Sequence, residues 1–449
     1  MTPELLARFD QRVPRYTSYP TAPHFQSGVS TKRYAKWLRS LPANAPISLY
    51  VHVPFCDSLC WFCGCHTKIV KRYEPIARYV DLLIKEIDLF VATIGPDRTV
   101  SHLHFGGGSP TILEGDDICR LGEHFHRCFK IDNDAEIAIE IDPRGVSHDK
   151  IATLAAIGVT RASVGLQDIN PDVQQAVNRV QPLSTTRQVI EWLREASIEA
   201  INIDLMYGLP HQDLDGIERT VDAATSLEPD RLALFGYAHM PWLKRHQRLL
   251  DEKLLPDAVM RWRQFECAST HLTAKDYQPI GLDHFAKADD PLAQAQLRGR
   301  LRRNFQGYTV DTAETLIGLG PSAISALPLA YVQNQVPLLA WRDAISDGRF
   351  AITRCLVLDD EDRLRRSVIE RLMCDLEVDL AASLAAFDRD VDHFAGEIER
   401  LDKLAADGIV EREGMTIKIP EPARPLVRVA AAIFDQYLST NEARHARAV

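Results

Sequence analysis

No apolar run in this sequence is long enough to cross a bilayer, which takes about 20 residues. The opening stretch MTPELLARFDQRVPRYTSYP also lacks the continuous apolar core of an export signal. An evenly spaced, even-numbered cysteine framework is missing too. There are nine cysteines, and four of them crowd into positions 56–65. Without an export signal, that usage excludes a disulfide scaffold and points to metal binding or catalysis in the cytoplasm. Positive charge is in deficit, with 52 Lys and Arg against 62 Asp and Glu, a net −10. A phosphate-backbone binder needs a basic footprint, so no nucleic acid and no membrane are expected as partners. A small anionic ligand is still allowed, since a few local arginines suffice. Internal repeats and low-complexity tracts are also absent.

What is present is core-forming material, 46% hydrophobic over 449 residues. Short β-rich runs stand at 47–53, 100–105, 135–141, 161–167, 199–207 and 231–237, with a seventh at 277–282. Amphipathic segments lie between them, for example YVDLLIKEIDLFVATI and TTRQVIEWLREA. Repeated β-then-α units predict an α/β fold with a parallel sheet. Six units are too few for a closed eight-unit barrel, so an open, partial β/α barrel is expected. From about residue 355 two helical stretches and a hairpin around Glu413-Gly414 suggest a small, mostly helical, winged-helix-like module. The expected organisation is an N-terminal lid segment over 1–45, a barrel domain over 46–350 and the C-terminal module over 351–449. In such folds functional groups gather where strands end. Here PFCDSLCWFCGC, GGGSPT, DPR, QDIN, GLP and AHMP follow the strands.

The main motif is Cys56-x3-Cys60-x2-Cys63, with Cys65 two residues on. Thiolates so spaced in one loop suit a soft metal centre. Zinc in a structural site needs four ligands; Cys65 offers a fourth, but no second separated pair lies at a fitting distance. A four-iron cluster takes up to four cysteines, and three would leave one iron open for chemistry. His102 and His104 share one face of a strand and read as packing or supporting residues. His124 and His126 read as helix-surface residues, and Cys119, Cys128, Cys267, Cys355 and Cys374 as scattered small hydrophobes.

Cys-x3-Cys-x2-Cys beyond a first strand, with Phe62 before the third cysteine and Gly106-Gly107-Gly108 after the second strand, resembles the radical S-adenosylmethionine (SAM) superfamily. The resemblance narrows to the oxygen-independent coproporphyrinogen III oxidase (dehydrogenase) family. It rests on Pro14-Arg15-Tyr16-Thr17-Ser18-Tyr19-Pro20, Tyr50-Val51-His52-Val53-Pro54-Phe55-Cys56, Glu140-Ile141-Asp142-Pro143-Arg144, Val177-Asn178-Arg179, Asn202-Ile203-Asp204-Leu205, Gly281-Leu282-Asp283-His284-Phe285-Ala286 and Asn304-Phe305-Gln306-Gly307-Tyr308-Thr309.

The resemblance implies conversion of two propionates of coproporphyrinogen III to vinyl groups, giving protoporphyrinogen IX for haem synthesis through a 5′-deoxyadenosyl radical. It implies a [4Fe-4S] cluster on Cys56, Cys60 and Cys63. One SAM is expected at Tyr50, Gly107, Glu140 and Ile324. A second is expected at Phe62, Gly108, Ser109, Gln167, Arg179, Asp204 and Ala238. Tyr50 and Glu140 join the three cysteines as the catalytic set. The implied partners are a flavodoxin- or ferredoxin-type electron donor and an electron acceptor, around a monomer. Departures are small: Ser109 stands where threonine is common, Trp61 for tyrosine, His66 for asparagine. Cys65 is expected as a non-ligand near the cluster or the second SAM. Arg12 to Tyr19 is expected to close the pocket, meeting propionates with Arg12 or Arg15, and Asn304 to Thr309 to form the opposite wall. The competing readings are a haem-binding chaperone of the same superfamily, a radical methyltransferase and a zinc-stabilised binding module.

Overall fold

The computed structural model describes residues 3–438. Its centre is a run of parallel strands. In chain order these are β1 (Ile47–Val53), β2 (Thr99–Gly107), β3 (Lys130–Ile141), β4 (Arg161–Gln167), β5 (Ala200–Tyr207) and β6 (Arg231–Gly236), each paired parallel with the next. The helices α1 (Glu74–Ile94), α2 (Gly115–Cys128), α3 (His148–Ala156), α4 (Leu183–Glu195) and α5 (Leu214–Thr225) alternate with them. The expected partial α/β barrel is what the chain forms.

Sequence periodicity explains these elements. β1 is buried at six of its seven positions, as a strand covered on both faces must be. In α1, Ile76, Tyr79, Val80, Leu83, Ile87, Phe90 and Ile94 recur at helical spacing and pack on the sheet, and Gly95, at φ 88°, ends the helix.

The sheet goes further than the sequence pattern indicated. After α6 (Ala258–Ala274), β7 (Gln278–Ile280) and β8 (His284–Ala286) run antiparallel on the β6 edge, so the seventh run is an edge hairpin rather than another parallel unit. β9 (Thr315–Leu319) pairs parallel with the other side of β1. β10 (Ile324–Leu327), β11 (Ala330–Asn334) and β12 (Ile352–Val357) continue antiparallel beyond it. With Gln26–Ser27 at one edge the sheet has 13 strands, and its two edges do not pair with each other. β9 has only five residues between polar loops, too few to show a period.

Glu86 is buried in α1 and ties that helix to the strands beside β1. Its carboxylate accepts from the Gly320 N–H at 2.6 Å, Asn334 Nδ2 at 2.9 Å and Trp341 Nε1 at 3.2 Å. A second apolar cluster joins Leu6, Phe9, Val13, Tyr16 and Tyr19 to the helix Asp360–Asp375 and to Leu426, Val427 and Phe434. The N-terminal segment therefore packs on the C-terminal module. That module also contains Ala395–Ala406 and the expected hairpin, Glu411–Glu413 with Thr416–Lys418, extended by Glu377–Asp379. Because β12 belongs to the main sheet, the sheet extends past residue 350. His124 is a correction: it is 5% exposed, with Nε2 2.9 Å from Asp88, because it lies on the side of α2 that meets α1. Among the described residues no helix is long and apolar enough to cross a membrane.

Candidate active site

The four clustered cysteines follow β1. Phe55–Cys56 pairs parallel with Lys68–Ile69 and closes the base of the loop that carries Cys60, Cys63 and Cys65. Both flanks of the loop are held by later parts of the chain. On one side the Trp61 N–H donates to the Val177 carbonyl at 2.9 Å and Asn178 Nδ2 to Leu59 O at 2.8 Å. On the other side Lys244 Nζ donates to Cys65 O at 3.0 Å, His246 Nε2 meets Cys63 O at 2.8 Å, and Gln247 Nε2 donates to Phe62 O at 3.0 Å. Sequence reading did not single out Lys244, His246 or Gln247, since a polar loop segment carries no periodic signal.

The thiols sit among cations and donors. Arg144 and Arg179 each donate to Cys60 Sγ at 3.5 Å, and Thr67 Oγ1 donates to Cys56 Sγ at 3.1 Å. Asp142 binds both arginines, Arg144 Nη2 at 2.6 Å and Arg179 Nη1 at 3.2 Å. Burial raises its carboxyl, but the Arg144 hydrogen bond and both charges outweigh that and hold it at about 2. Arg179 is 7% exposed and also donates to Gly165 O at 2.9 Å, so its fork is shared between the loop and β4. A hydrogen bond from Cys65 lowers the Cys63 thiol, whereas burial pushes that of Cys56 up to about 12.

Beneath the loop, Tyr50 and Glu140 face each other across β1–β3. The Tyr50 hydroxyl lies 3.1 Å from His52 Nδ1, and its ring stacks on His104 at 5.8 Å. Glu140 accepts from the Gly107 N–H at 3.0 Å and meets His104 Nε2 at 3.4 Å. Burial raises its carboxyl, but these contacts outweigh it and keep Glu140 below the usual carboxylate range. Asp204 accepts from Ser163 Oγ at 3.1 Å and Asn202 Nδ2 at 2.8 Å; burial, with the Glu140 charge, pushes it up to about 6.

Gly107 and Gly108 are sterically required, and Gly106 lies close against the Glu140 and Tyr50 side chains. A Cβ on Gly106 would come 2.8 Å from Glu140 Oε1, and one on Gly108 2.5 Å from the Phe55 carbonyl. Gly107, at φ 115°, would touch His52 at 2.8 Å. Ser109 is buried with its N–H on Phe55 O, Gln167 ends β4 at φ 69°, and Ile324 backs onto Gly318, the register partner of Tyr50.

Two of the cavities that adjoin this group carry expected site residues. One, of about 180 Å3, is the barrel lumen, where Glu140 and Asp204 stand above His102, Arg161 and Arg231; Asn304, Gln306 and Thr309 also line it. The other, of about 390 Å3, lies between strand ends, the N-terminal segment and the C-terminal module. It includes Ala238, Arg12 and Arg15. Residues 304–309 are not part of the cavity that Arg12 and Arg15 reach, but Asn304, Phe305 and Thr309 face Tyr16 to Tyr19 of the N-terminal segment across a further cavity of about 210 Å3.

Residues 50–224 match the model of the radical SAM superfamily. An oxygen-independent coproporphyrinogen III oxidase from Bradyrhizobium diazoefficiens is 45% identical over 440 residues, covering 98% of each chain. The chain belongs to the oxygen-independent coproporphyrinogen III oxidase family. The Escherichia coli relative of that name is 38% identical over 435 residues, covering 97% of this chain and 95% of its own. The solved structure of coproporphyrinogen III oxidase from Escherichia coli, a radical SAM enzyme, superposes with a TM-score of 0.90. It is 37% identical and covers 95% of this chain and 100% of its own. Members of this family are oxidoreductases, and the radical SAM superfamily works with a [4Fe-4S] cluster and SAM.

The residues present fit such a cluster. The donor set is three soft thiols flanked by two guanidinium groups. Among the described residues, metal-ligating atoms converge within 4.8 Å at Asp88, His124 and Cys128 and at Glu218, Cys267 and His271, but not at the loop thiols.

Proposed function

We propose that this chain removes the carboxyl groups of two propionates of coproporphyrinogen III as carbon dioxide, leaving vinyl groups and forming protoporphyrinogen IX without oxygen. The observation that carries the reading is full-length kinship, 45% over 98% of both chains, with an enzyme of that name. The loop of three thiols set over Tyr50 and Glu140 supports it from within the structure. The same kinship disfavours the chaperone reading.

When bound, the cluster and SAM would supply a hydrogen-abstracting radical directed at the propionate carbon attached to the pyrrole ring; loss of carbon dioxide from the neighbouring carbon and of one electron to an acceptor would complete the vinyl group. Cys56, Cys60 and Cys63 hold the cluster, and Arg144 and Arg179 offset its thiolate charge. Glu140, kept ionised, accepts hydrogen bonds from the ammonium or ribose hydroxyls of the first SAM beside Tyr50, Gly107 and Ile324. A second SAM lies along Phe62, Gly108, Ser109, Gln167, Arg179, Asp204 and Ala238, with Asp204 as acceptor. The chain works in the cytoplasm as a monomer, with a flavodoxin- or ferredoxin-type donor. Residues 1–45 serve as a lid, and the module after residue 350 as a structural cap.

The test is anaerobic incubation of iron-reconstituted protein with SAM, reductant and coproporphyrinogen III. Protoporphyrin fluorescence after oxidation is expected together with 5′-deoxyadenosine. Deoxyadenosine without the vinyl product would refute the substrate assignment. In parallel, Cys60→Ala is expected to lose the four-iron absorbance and turnover together; full turnover in that variant would refute the cluster assignment.

A further inference from the structure

Four arginines reach the cavity of about 390 Å3 from three parts of the chain. Arg12 and Arg15 come from the N-terminal segment, Arg261 from α6, and Arg428 from the C-terminal helix Val427–Ala431. Burial and the Arg15 charge together pull Arg428 down to about 10 and lower Arg261 as well, which shows like charges gathered in low-dielectric surroundings. Arg15 donates to Gly236 O at 2.6 Å, and Arg428 to Val13 O at 3.3 Å.

The carboxylates on the same wall are Asp10, Glu252, Asp257 and Asp283. Asp283 lies in the field of Arg15 and Arg428 and Asp10 in that of Arg261, and three of the four also have partners outside the arginine set. Glu252 meets His239 at 3.0 Å, Asp257 accepts the Met260 N–H at 2.8 Å, and Asp283 meets His284 at 2.8 Å and Arg303 at 3.9 Å. Two aromatic rings on the wall carry two of the guanidinium groups: Arg12 lies over Trp242 at 4.6 Å and Arg261 over Tyr207 at 5.5 Å. Ala238, on the cavity wall, shares Gln247 Nε2 with Phe62, so the cavity adjoins the cysteine loop.

Resting on the function proposed above, we infer that this cavity seats the substrate propionates that do not react, with Arg15, Arg261 and Arg428 binding their carboxylates. The chemistry divides the carboxylates this way. A guanidinium bound to a carboxylate stabilises the charged form. Loss of that carboxyl as carbon dioxide would leave a buried cation without its counter-charge. Arginine therefore suits a propionate that is kept and opposes departure of one that leaves. The two propionates that react belong on the other side of Ala238, toward Tyr50 and the thiols.

The test uses cluster-loaded full-length protein. Arg15→Met and Arg261→Met are each expected to raise KM for coproporphyrinogen III by about tenfold to hundredfold, the value of one charge-assisted contact, with kcat within about twofold. Cluster absorbance should not change. Arg261→Lys should recover part of the loss. Binding of fluorescent coproporphyrin III should weaken in step with KM, while binding of its uncharged tetramethyl ester should be the same in wild type and variants. A wild-type KM in both variants, or equal weakening of acid and ester, would overturn the inference and make the arginines structural. A wild-type protein that forms no vinyl product overturns the underlying function instead, and the inference with it.

Discussion

Replacing Glu86 with glutamine tests whether burial or hydrogen bonding governs the joint between α1 and the strands beside β1. Burial pushes the Glu86 carboxyl up to about 7 from 4.5, against the lowering effect of Gly320, Trp341 and Asn334. The folded value lies above the unfolded one, so the folded chain holds an extra proton between them. Stability from this group is fully present below pH 4.5 and is lost as pH rises through about 7. The gap corresponds to about 3 kcal/mol in all, of which about 1 kcal/mol falls between pH 6 and pH 8. In Glu86→Gln the amide oxygen can keep Asn334 and Trp341, but its NH2 then faces the Gly320 N–H. An unsatisfied buried donor costs about 1–3 kcal/mol. Glutamine does not titrate, so its penalty should be larger at pH 6 and smaller by about 1 kcal/mol at pH 8. The assay is urea unfolding of anaerobic, cluster-loaded wild type and variant at both pH values, followed by tryptophan fluorescence. A penalty that is constant or grows toward pH 8 would refute the reasoning, because the three hydrogen bonds to the charged form would then outweigh its burial.

Three further outcomes are expected. Arg179→Met breaks a buried pair with Asp142 and frees Gly165 O and Cys60 Sγ from their donor; it should cost about 3–5 kcal/mol and lower retained iron, measured by unfolding and iron analysis. Gly107→Ala forces a side chain onto φ 115° against His52 and the Val53 carbonyl and pulls the N–H from Glu140, so SAM affinity should fall while four-iron absorbance persists, as equilibrium binding would report. Tyr16→Phe removes the 3.0 Å bond to Asp435 and should cost about 1 kcal/mol, with faster proteolysis of the N-terminal segment than in wild type.

Local pattern carried the sequence reading wherever spacing is itself the chemistry. Cys56, Cys60 and Cys63 lie within eight residues, so one loop must gather them whatever the fold around it. Strands β1 to β6 were legible because alternation with amphipathic helices is a short-range signal, and the glycine triple because backbone crowding needs no distant partner to be suspected. Other features depend on residues far apart in sequence, and only tertiary structure could bring them together. Arg179 reaches Cys60 across 119 positions, His246 reaches Cys63 across 183, and Arg15 reaches Gly236 across 221. The same is true of β9, whose five residues gain strand identity from pairing with β1, and of Glu86, whose raised carboxyl exists only because Gly320, Asn334 and Trp341 close over it. The sequence by itself determined which chemistry the loop can carry, since thiol spacing is covalent. Which charges surround that chemistry was decided by folding, because an electrostatic environment is a property of distance in space and not of position along the chain.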